Sequence, residues 1–250
     1  MGDKNKKIEY IIVSSNDDPL YLNFWPVFKK MSNHILNAKP VLVHVSDCNE
    51  YREDADSIVI KIKQVTKNTG FQAQISRLWA PIFFKDKVCM ISDIDMLPLS
   101  TDYFNKFEIN YNEFHILSAN AYNDEMNYYP MCYNIAYGDT FKNLLQLPND
   151  FNDFYENVLL VCEEENWTGD ERFLSTRINN NKIHHINIVK HKRKFSRISC
   201  IADNRIDRVN LDKIDHYRYN KDLYIDFHCP RPYEQNKQFI DEICNIYTGM

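Results

Sequence analysis

Asp93-Ile94-Asp95, in the context CMISDIDMLPL, is the pattern in this 250-residue chain with the clearest chemical potential. Two carboxylates placed one residue apart at the end of a buried strand can converge on one hard divalent cation. The chain leaves extended geometry there, and the intervening apolar side chain turns inward. A cation so held can bridge the two phosphates of a nucleoside diphosphate. A D-x-D triplet alone is common by chance; one directly after an apolar strand and before Met-Leu-Pro-Leu is much less so. The glycines point the same way. There are only five, Gly2, Gly70, Gly138, Gly169 and Gly249, and they are widely scattered. A G-x-G-x-x-G turn or a P-loop needs clustered glycines so that backbone N–H groups can reach phosphate, so both are excluded. Any bound diphosphate must be neutralised by something else.

The elements that would position these carboxylates are legible in the first half. Residues 8–15 (IEYIIVSS) read as a buried strand, followed by loop and helix-cap chemistry in SSNDDP. Apolar residues at Leu20, Phe24, Val27, Phe28, Met31 and Ile35 have helical spacing and predict one helix from Leu20 to about Asn37. Residues 40–46 and 57–62 are further strands. Residues 70–84 form a helix that Pro81 bends or ends, and residues 88–92 are a strand running straight into Asp93. This alternation predicts an α/β fold with a central sheet covered by helices, where ligands sit at the carboxyl ends of strands. The loops after Ser15 and Ser92 are therefore the expected site. In the second half, residues 114–119, 131–137, 182–189 and 223–227 read as strands. Residues 139–147, 150–165 and 170–179 read as helices, and the charged stretch 203–220 as a long loop or lid.

A formal net charge of -5 argues against nucleic acid as a partner. The one basic run, Lys190 to Lys194 with Arg197, reads as solvated surface or a local anion contact. Seven scattered cysteines without a C-x-x-C pair suggest neither disulfides nor zinc. The expectation is a reducing, cytoplasmic location, with no secretory leader in the polar opening and no membrane span.

With these residues in view, the chain resembles the nucleotide-sugar-dependent glycosyltransferases of GT-A fold, over roughly Ile8 to Pro232. ISDIDMLPL looks like their metal-binding D-x-D segment, and the helix carrying Gln74, Arg77 and Trp79 is similar to the one that packs beside the donor, where a basic side chain often contacts it. The resemblance implies a single GT-A-like domain over 1–250 with a Rossmann-like mixed central sheet flanked by helices. Its donor-binding half would span about 8–110 and its acceptor-side half about 111–235. It implies a UDP-sugar or other nucleoside diphosphate sugar as donor, a carbohydrate acceptor, and Mn2+ or Mg2+ held by Asp93, Asp95 and a late histidine, His228. Ser14, Ser15 and Asn16 would hold the base and ribose, with Asp93 and Arg77 also on the donor and Arg231 at the diphosphate. Asp170 and Glu171, after Trp167-Thr168-Gly169, would lie near the sugar, one of them as base. A hexosyl or deoxyhexosyl group would be transferred.

Plainer readings stand beside these. Ser14 to Asp17 include an ordinary helix N-cap. Asp170 and Glu171 suit any first helical turn, and a lone histidine is usually structural. The tyrosines of residues 122–137 serve as an acceptor platform or simply fill the core. Two other functions remain open: a catalytically inactive carbohydrate-binding scaffold of the same fold, and a D-x-D phosphotransferase. Against the latter, Leu97 stands where such enzymes usually carry Thr or Val, and the motif lies far from the start.

Overall fold

The computed structural model describes residues 7–122, 128–180, 186–195, 202–209 and 214–249. The first strand, β1 (Tyr10–Ser15), is buried on both faces: Ile11 and Val13 enter one core and Ile12 the other. Asp18 caps α1 (Pro19–Leu22), its Oδ1 accepting from the Leu20 N–H at 2.9 Å. The single helix expected from Leu20 is in fact two, because α2 (Trp25–Met31) starts afresh after a break at Asn23 and Phe24. Pro26 has no N–H to return to the carbonyl of Leu22, so the first helix cannot run through it. The apolar spacing still serves, since Phe24, Val27, Phe28, Met31 and Ile35 are all buried. A π-turn, Ser32–Leu36, then ends at left-handed Asn37.

Strands β2 (Lys39–Ser46) and β4 (Ile58–Lys63) follow, with β3 (Glu50–Glu53) between them. All four residues of β3 are exposed, so it carries no hydrophobic signal; it is a charged edge strand, a type that discourages further pairing. Helix α3 (Thr69–Trp79) is capped by Asn68 and passes at Ala80 into a 3-10 turn containing Pro81, as its sequence predicts. Strand β5 (Val88–Ile91) leads through the D-x-D triplet to β6 (Met96–Pro98) and α4 (Thr101–Asn105). Next come β7 (Glu113–Ile116), β8 (Asn134–Tyr137), α5 (Gly138–Leu145), α6 (Phe151–Cys162) and α7 (Gly169–Asn179). Strand β9 (Asn187–Lys190) covers the end of an expected strand whose start lies outside the described residues. The supposed loop at 203–220 contains β10 (Arg205–Asp207) and α8 (Ile214–Tyr219). Neither is long enough to show periodicity, and β10 exists by pairing with β11 (Asp226–His228). Helix α9 (Tyr233–Thr248) follows.

Among the described residues the main sheet has eight strands in the order β3-β4-β2-β1-β5-β8-β7-β9, with β4, β2, β1 and β5 mutually parallel. Helices α2 and α9 pack on one face; α3, α5, α6 and α7 pack on the other. A second sheet, β10-β11-β6, takes the chain that leaves the D-x-D. Its anchor is Asp226, fully buried, which accepts from Arg193 Nη1 at 2.7 Å and from Arg205 Nη2 at 3.0 Å. Burial alone would raise its carboxyl, but the two guanidiniums hold it down at about 2. Asp226→Ala leaves two largely buried cations without their partner, and should cost roughly 3–5 kcal/mol in urea unfolding. A loss below about 1 kcal/mol would show that the triad is not holding this sheet.

Candidate active site

A cleft of about 410 Å³ opens where the carboxyl ends of β1 and β5 meet the start of α7 and the chain after β11. Ser14, Ser15 and Asn16 line it at the end of β1. The capping role considered for this stretch falls to Asp18. Asn16 instead braces the loop, donating through Nδ2 to Thr69 Oγ1 at 2.9 Å and accepting at Oδ1 from the Asp18 N–H at 3.2 Å.

Beyond β5 the triplet divides. Ile94 is buried in the core, while Asp93 and Asp95 both line the cleft but meet different neighbours. Asp93 Oδ1 accepts from Arg77 Nη1, and Oδ2 accepts from the Cys132 thiol at 2.7 Å. Arg77 also donates from Nη2 to Asp170 Oδ2 at 2.5 Å and from Nη1 to the Ser92 carbonyl at 3.2 Å. It thus clamps the end of β5 to the start of α7. Gly169 allows that approach, because a Cβ there would lie 2.5 Å from the Phe71 ring on α3. Burial would raise the Asp93 carboxyl, but Arg77 and Cys132 hold it below its ordinary value; for Asp170 burial prevails and the carboxyl is raised.

Glu171, one residue on, accepts from Tyr122 Oη at 2.5 Å. Burial, with help from the charges of Asp170 and Asp93, pushes its carboxyl up to about 7 against the opposing Tyr122 hydrogen bond and Arg77 charge. A carboxyl at that value can both take and release a proton near neutrality.

Asp95 meets a different set of neighbours. Its Oδ2 lies 3.4 Å from Arg231 Nε, 3.6 Å from His228 Nε2 and 3.9 Å from Arg208 Nη1. The encounter follows from the second sheet: β11 runs antiparallel to β6 with His228 opposite Met96, and the Cys229 N–H donates to the Asp95 carbonyl at 2.8 Å. His228 Nδ1 meets Asp207 Oδ2 at 3.3 Å. Although burial opposes it, Asp207 and Asp95 together raise the imidazole to about 9. Arg231 also donates to Tyr21 Oη and stacks on that ring, 5.0 Å from its centre.

A carboxylate facing an imidazole can ligate Mn2+ once Nε2 has lost its proton, so Asp95 and His228 fit as ligands of Mn2+, whereas Mg2+ favours oxygen donors alone. Asp93 is turned toward Arg77 and Cys132. Among the described residues no three His, Cys, Asp or Glu side chains form a ready metal cluster.

No family model matches the chain, and no curated protein matches it. Solved structures do. A crystal structure of the glycosyltransferase GlyE of Streptococcus pneumoniae TIGR4 superposes with a TM-score of 0.50 at 11% identity, covering 98% of this chain and 64% of that one. The chain shares the fold of that glycosyltransferase. The apo form of GlyE gives a TM-score of 0.49 at 10% identity, again over 98% and 64% of the two chains. This chain therefore spans a little under two thirds of the length of the proteins it matches.

The cleft brings together Ser14, Ser15, Asn16, Arg77, Asp93, Asp95, Asp170, Glu171, His228 and Arg231. Arg77, expected on the donor, has its terminal nitrogens engaged by two carboxylates. The basic run does not reach the cleft in its described part: Arg193 is committed to Asp226, and Lys190 donates to Tyr129 Oη; Arg197 lies outside the described residues. Of the tyrosines considered for an acceptor platform, Tyr133 and Tyr137 are buried in the core, Tyr129 packs against the core beneath Lys190, Tyr128 does not line the cleft, and Tyr122 does; residues 123–127 lie outside the described set. Sequence reasoning missed Arg208, Asp207, Cys132 and Tyr21. Only Arg208 and Asp207 had any signal, as charged residues in a stretch already suspected of forming a lid.

Two outcomes follow. Arg77→Met strands Asp93 and Asp170 and should lower unfolding free energy by about 3–5 kcal/mol, with Arg77→Lys intermediate; equal stability of all three proteins would contradict the clamp. Glu171 is raised in the folded state from an ordinary 4.5 to about 7, so folding favours its neutral form and the protein loses stability as pH rises through that interval. Glu171→Gln should therefore be more stable than the parent at pH 8 by roughly 1–2 kcal/mol, with the gain vanishing near pH 4 in denaturant titrations.

Proposed function

We propose that this chain is a metal-dependent glycosyltransferase of GT-A type, moving a hexosyl or deoxyhexosyl group from a nucleoside diphosphate sugar, UDP-linked by preference, to a hydroxyl of a carbohydrate acceptor. The observation that carries this reading is the convergence, in one cleft at the carboxyl ends of β1 and β5, of short polar side chains, a D-x-D pair and His228 with Arg231, next to a carboxyl poised near neutrality. The glycosyltransferase fold agrees with it.

In this reading Ser14, Ser15 and Asn16 hold the base and ribose. Asp95 and His228, joined by Asp93, would hold Mn2+ or Mg2+, and the cation would supply Lewis-acid stabilisation of the negative charge on the departing diphosphate. Arg231 and Arg208 add fixed positive charge on that side. In an inverting reaction Glu171 takes the proton of the attacking acceptor hydroxyl, with Tyr122 orienting its carboxylate. Asp170 serves by holding Arg77. In a retaining reaction the departing phosphate accepts that proton. The polypeptide acts as a single domain, donor side about 8–110 and acceptor side about 111–235. A cytoplasmic setting is part of the proposal, supported by the absence of any disulfide among the six described cysteines. No helix among the described residues is long and apolar enough to cross a membrane.

A second reading, a sugar-binding scaffold without turnover, draws support from one observation: Asp93 is already occupied by Arg77 and Cys132. The phosphotransferase reading gains nothing, since the D-x-D follows the fifth strand in the chain.

A panel of nucleotide sugars, assayed for nucleoside diphosphate release with Mn2+, separates these. Release by the parent and a loss of about 10²-fold or more in Asp95→Ala are expected. Failure of every donor, or unchanged release in the variant, would remove the transferase reading. If the reaction inverts, Glu171→Gln lowers kcat about 10²–10⁴-fold and abolishes the acid limb that the parent shows near pH 7.

A further inference from the structure

Trp167 is 67% exposed, although burial of so large an aromatic is among the more stabilising contributions a side chain can make. Other large apolar side chains are exposed among the described residues, Tyr51, Phe83, Tyr111, Leu160, Val209 and Leu223, but none of them lines the cleft; Trp167 does. The other tryptophans are placed differently. Trp79 is buried and donates Nε1–H to the Pro148 carbonyl at 3.0 Å, and Trp25 packs against the core beside Phe28.

The exposure is not that of a loose loop. The Trp167 carbonyl accepts from Gln74 Nε2 at 3.0 Å. Its neighbour Thr168 donates from both N and Oγ1 to Asn166 Oδ1 at 3.1 Å, and the Gly169 N–H returns to the Asn166 carbonyl at 3.1 Å. Backbone fixed on both sides with the ring free is the arrangement of a preformed contact surface, which binds without first losing chain entropy. Tyr21 is the nearest ring, its centre 6.4 Å away, but its own face carries the Arg231 guanidinium. The indole is thus the open aromatic face on this side of the cleft. It lies just before α7, the helix whose first turn presents Glu171.

We propose that Trp167 is the stacking platform for the acceptor, and that the acceptor is a pyranoside presenting a face of several C–H bonds. Such C–H groups are polarised by the sugar oxygens and meet the negative face of the indole, while the hydroxyls around the ring edge stay free to be aimed at Glu171. That the sugar is acceptor rather than donor rests on the reading of the cleft given above. The nucleobase, which could also stack on an indole, belongs in that reading at Ser14 to Asn16. The sugar-binding aromatic surface sought among the tyrosines of residues 122–137 is supplied instead by Trp167: Tyr133 and Tyr137 are committed to the core, Tyr128 and Tyr129 do not line the cleft, and Tyr122, which does, is half-buried with its hydroxyl on Glu171.

The three tryptophans give a direct test through their indole N–H resonances in 15N-labelled protein, the Trp167 signal being assigned by its loss in Trp167→Phe. The protein is titrated first with UDP and Mn2+, then with methyl α- and β-pyranosides of glucose, galactose, mannose and N-acetylglucosamine. At least one glycoside should move the Trp167 signal. Trp167→Ala should weaken that glycoside about tenfold or more while UDP affinity changes less than about twofold, and Trp167→Phe should retain most of the affinity. A signal moved by UDP and by no glycoside, a signal moved by nothing, or glycoside affinity unchanged in Trp167→Ala would each overturn the proposal. Turnover with an acceptor KM insensitive to Trp167→Ala would likewise overturn it and leave the transferase reading intact. Glycoside binding at Trp167 without consumption of any nucleotide sugar would uphold the platform and defeat the transferase reading.

Discussion

One guanidinium, that of Arg77, joins the parts of this protein that chemistry requires to be adjacent. It is almost fully buried, which carries a large desolvation cost, and that cost is offset only because two carboxylates and a main-chain carbonyl meet it at once. The two carboxylates come from the end of a sheet strand and from the start of a helix far along the chain. Remove the cation and two like charges confront each other in a medium that screens them poorly. The clamp therefore fixes the distance between the D-x-D and the acidic helix start, and it also sets the local potential felt by Glu171.

The same contact gives the cleft an electrical polarity. Asp93, Asp170 and Glu171 make one wall acidic, with Arg77 as its internal counter-charge. Arg208, Arg231 and His228 make the other wall cationic, gathered about Asp95. A substrate with an anionic leaving group and a neutral hydroxylated partner matches such a gradient, the anion drawn to one wall and the hydroxyl to the other. The two aspartates of a single triplet can serve both walls because the chain turns at Ile94 and Asp95, with Ile94 anchored in the core.

What was legible in the sequence was local. Continuous apolar runs announce β1, β2, β4 and β5, and the position of Asp93 directly after one of them marks the mouth of the cleft. Helix ends are marked by a proline or a cap residue, as at Asn68 and Pro81, and Pro26 carries the same mark inside an apolar spacing that runs on past it. Features that depend on long-range pairing carried no such mark. The strand β3 has no buried face, and β10 is held by its neighbour rather than by its own pattern. Arg77 looks like any basic residue on a helix, because nothing in its immediate sequence reveals two carboxylates waiting in distant segments. Cys132 and Tyr21 were invisible for the same reason.

The pairing of β11 with β6 has a consequence for how the cleft comes into being. Asp95 acquires His228 and Arg231 only when a strand more than a hundred residues downstream zips onto the short strand that follows the triplet. Contacts of such sequence separation are entropically expensive to close and tend to form late. During synthesis, the parallel core around β1 and β5 can condense while one wall of the cleft does not yet exist. A growing or half-folded chain would then present the acidic wall without its cationic counterpart, and a diphosphate would find nothing to hold it. Ligand binding, in such a molecule, is also a report that folding has finished.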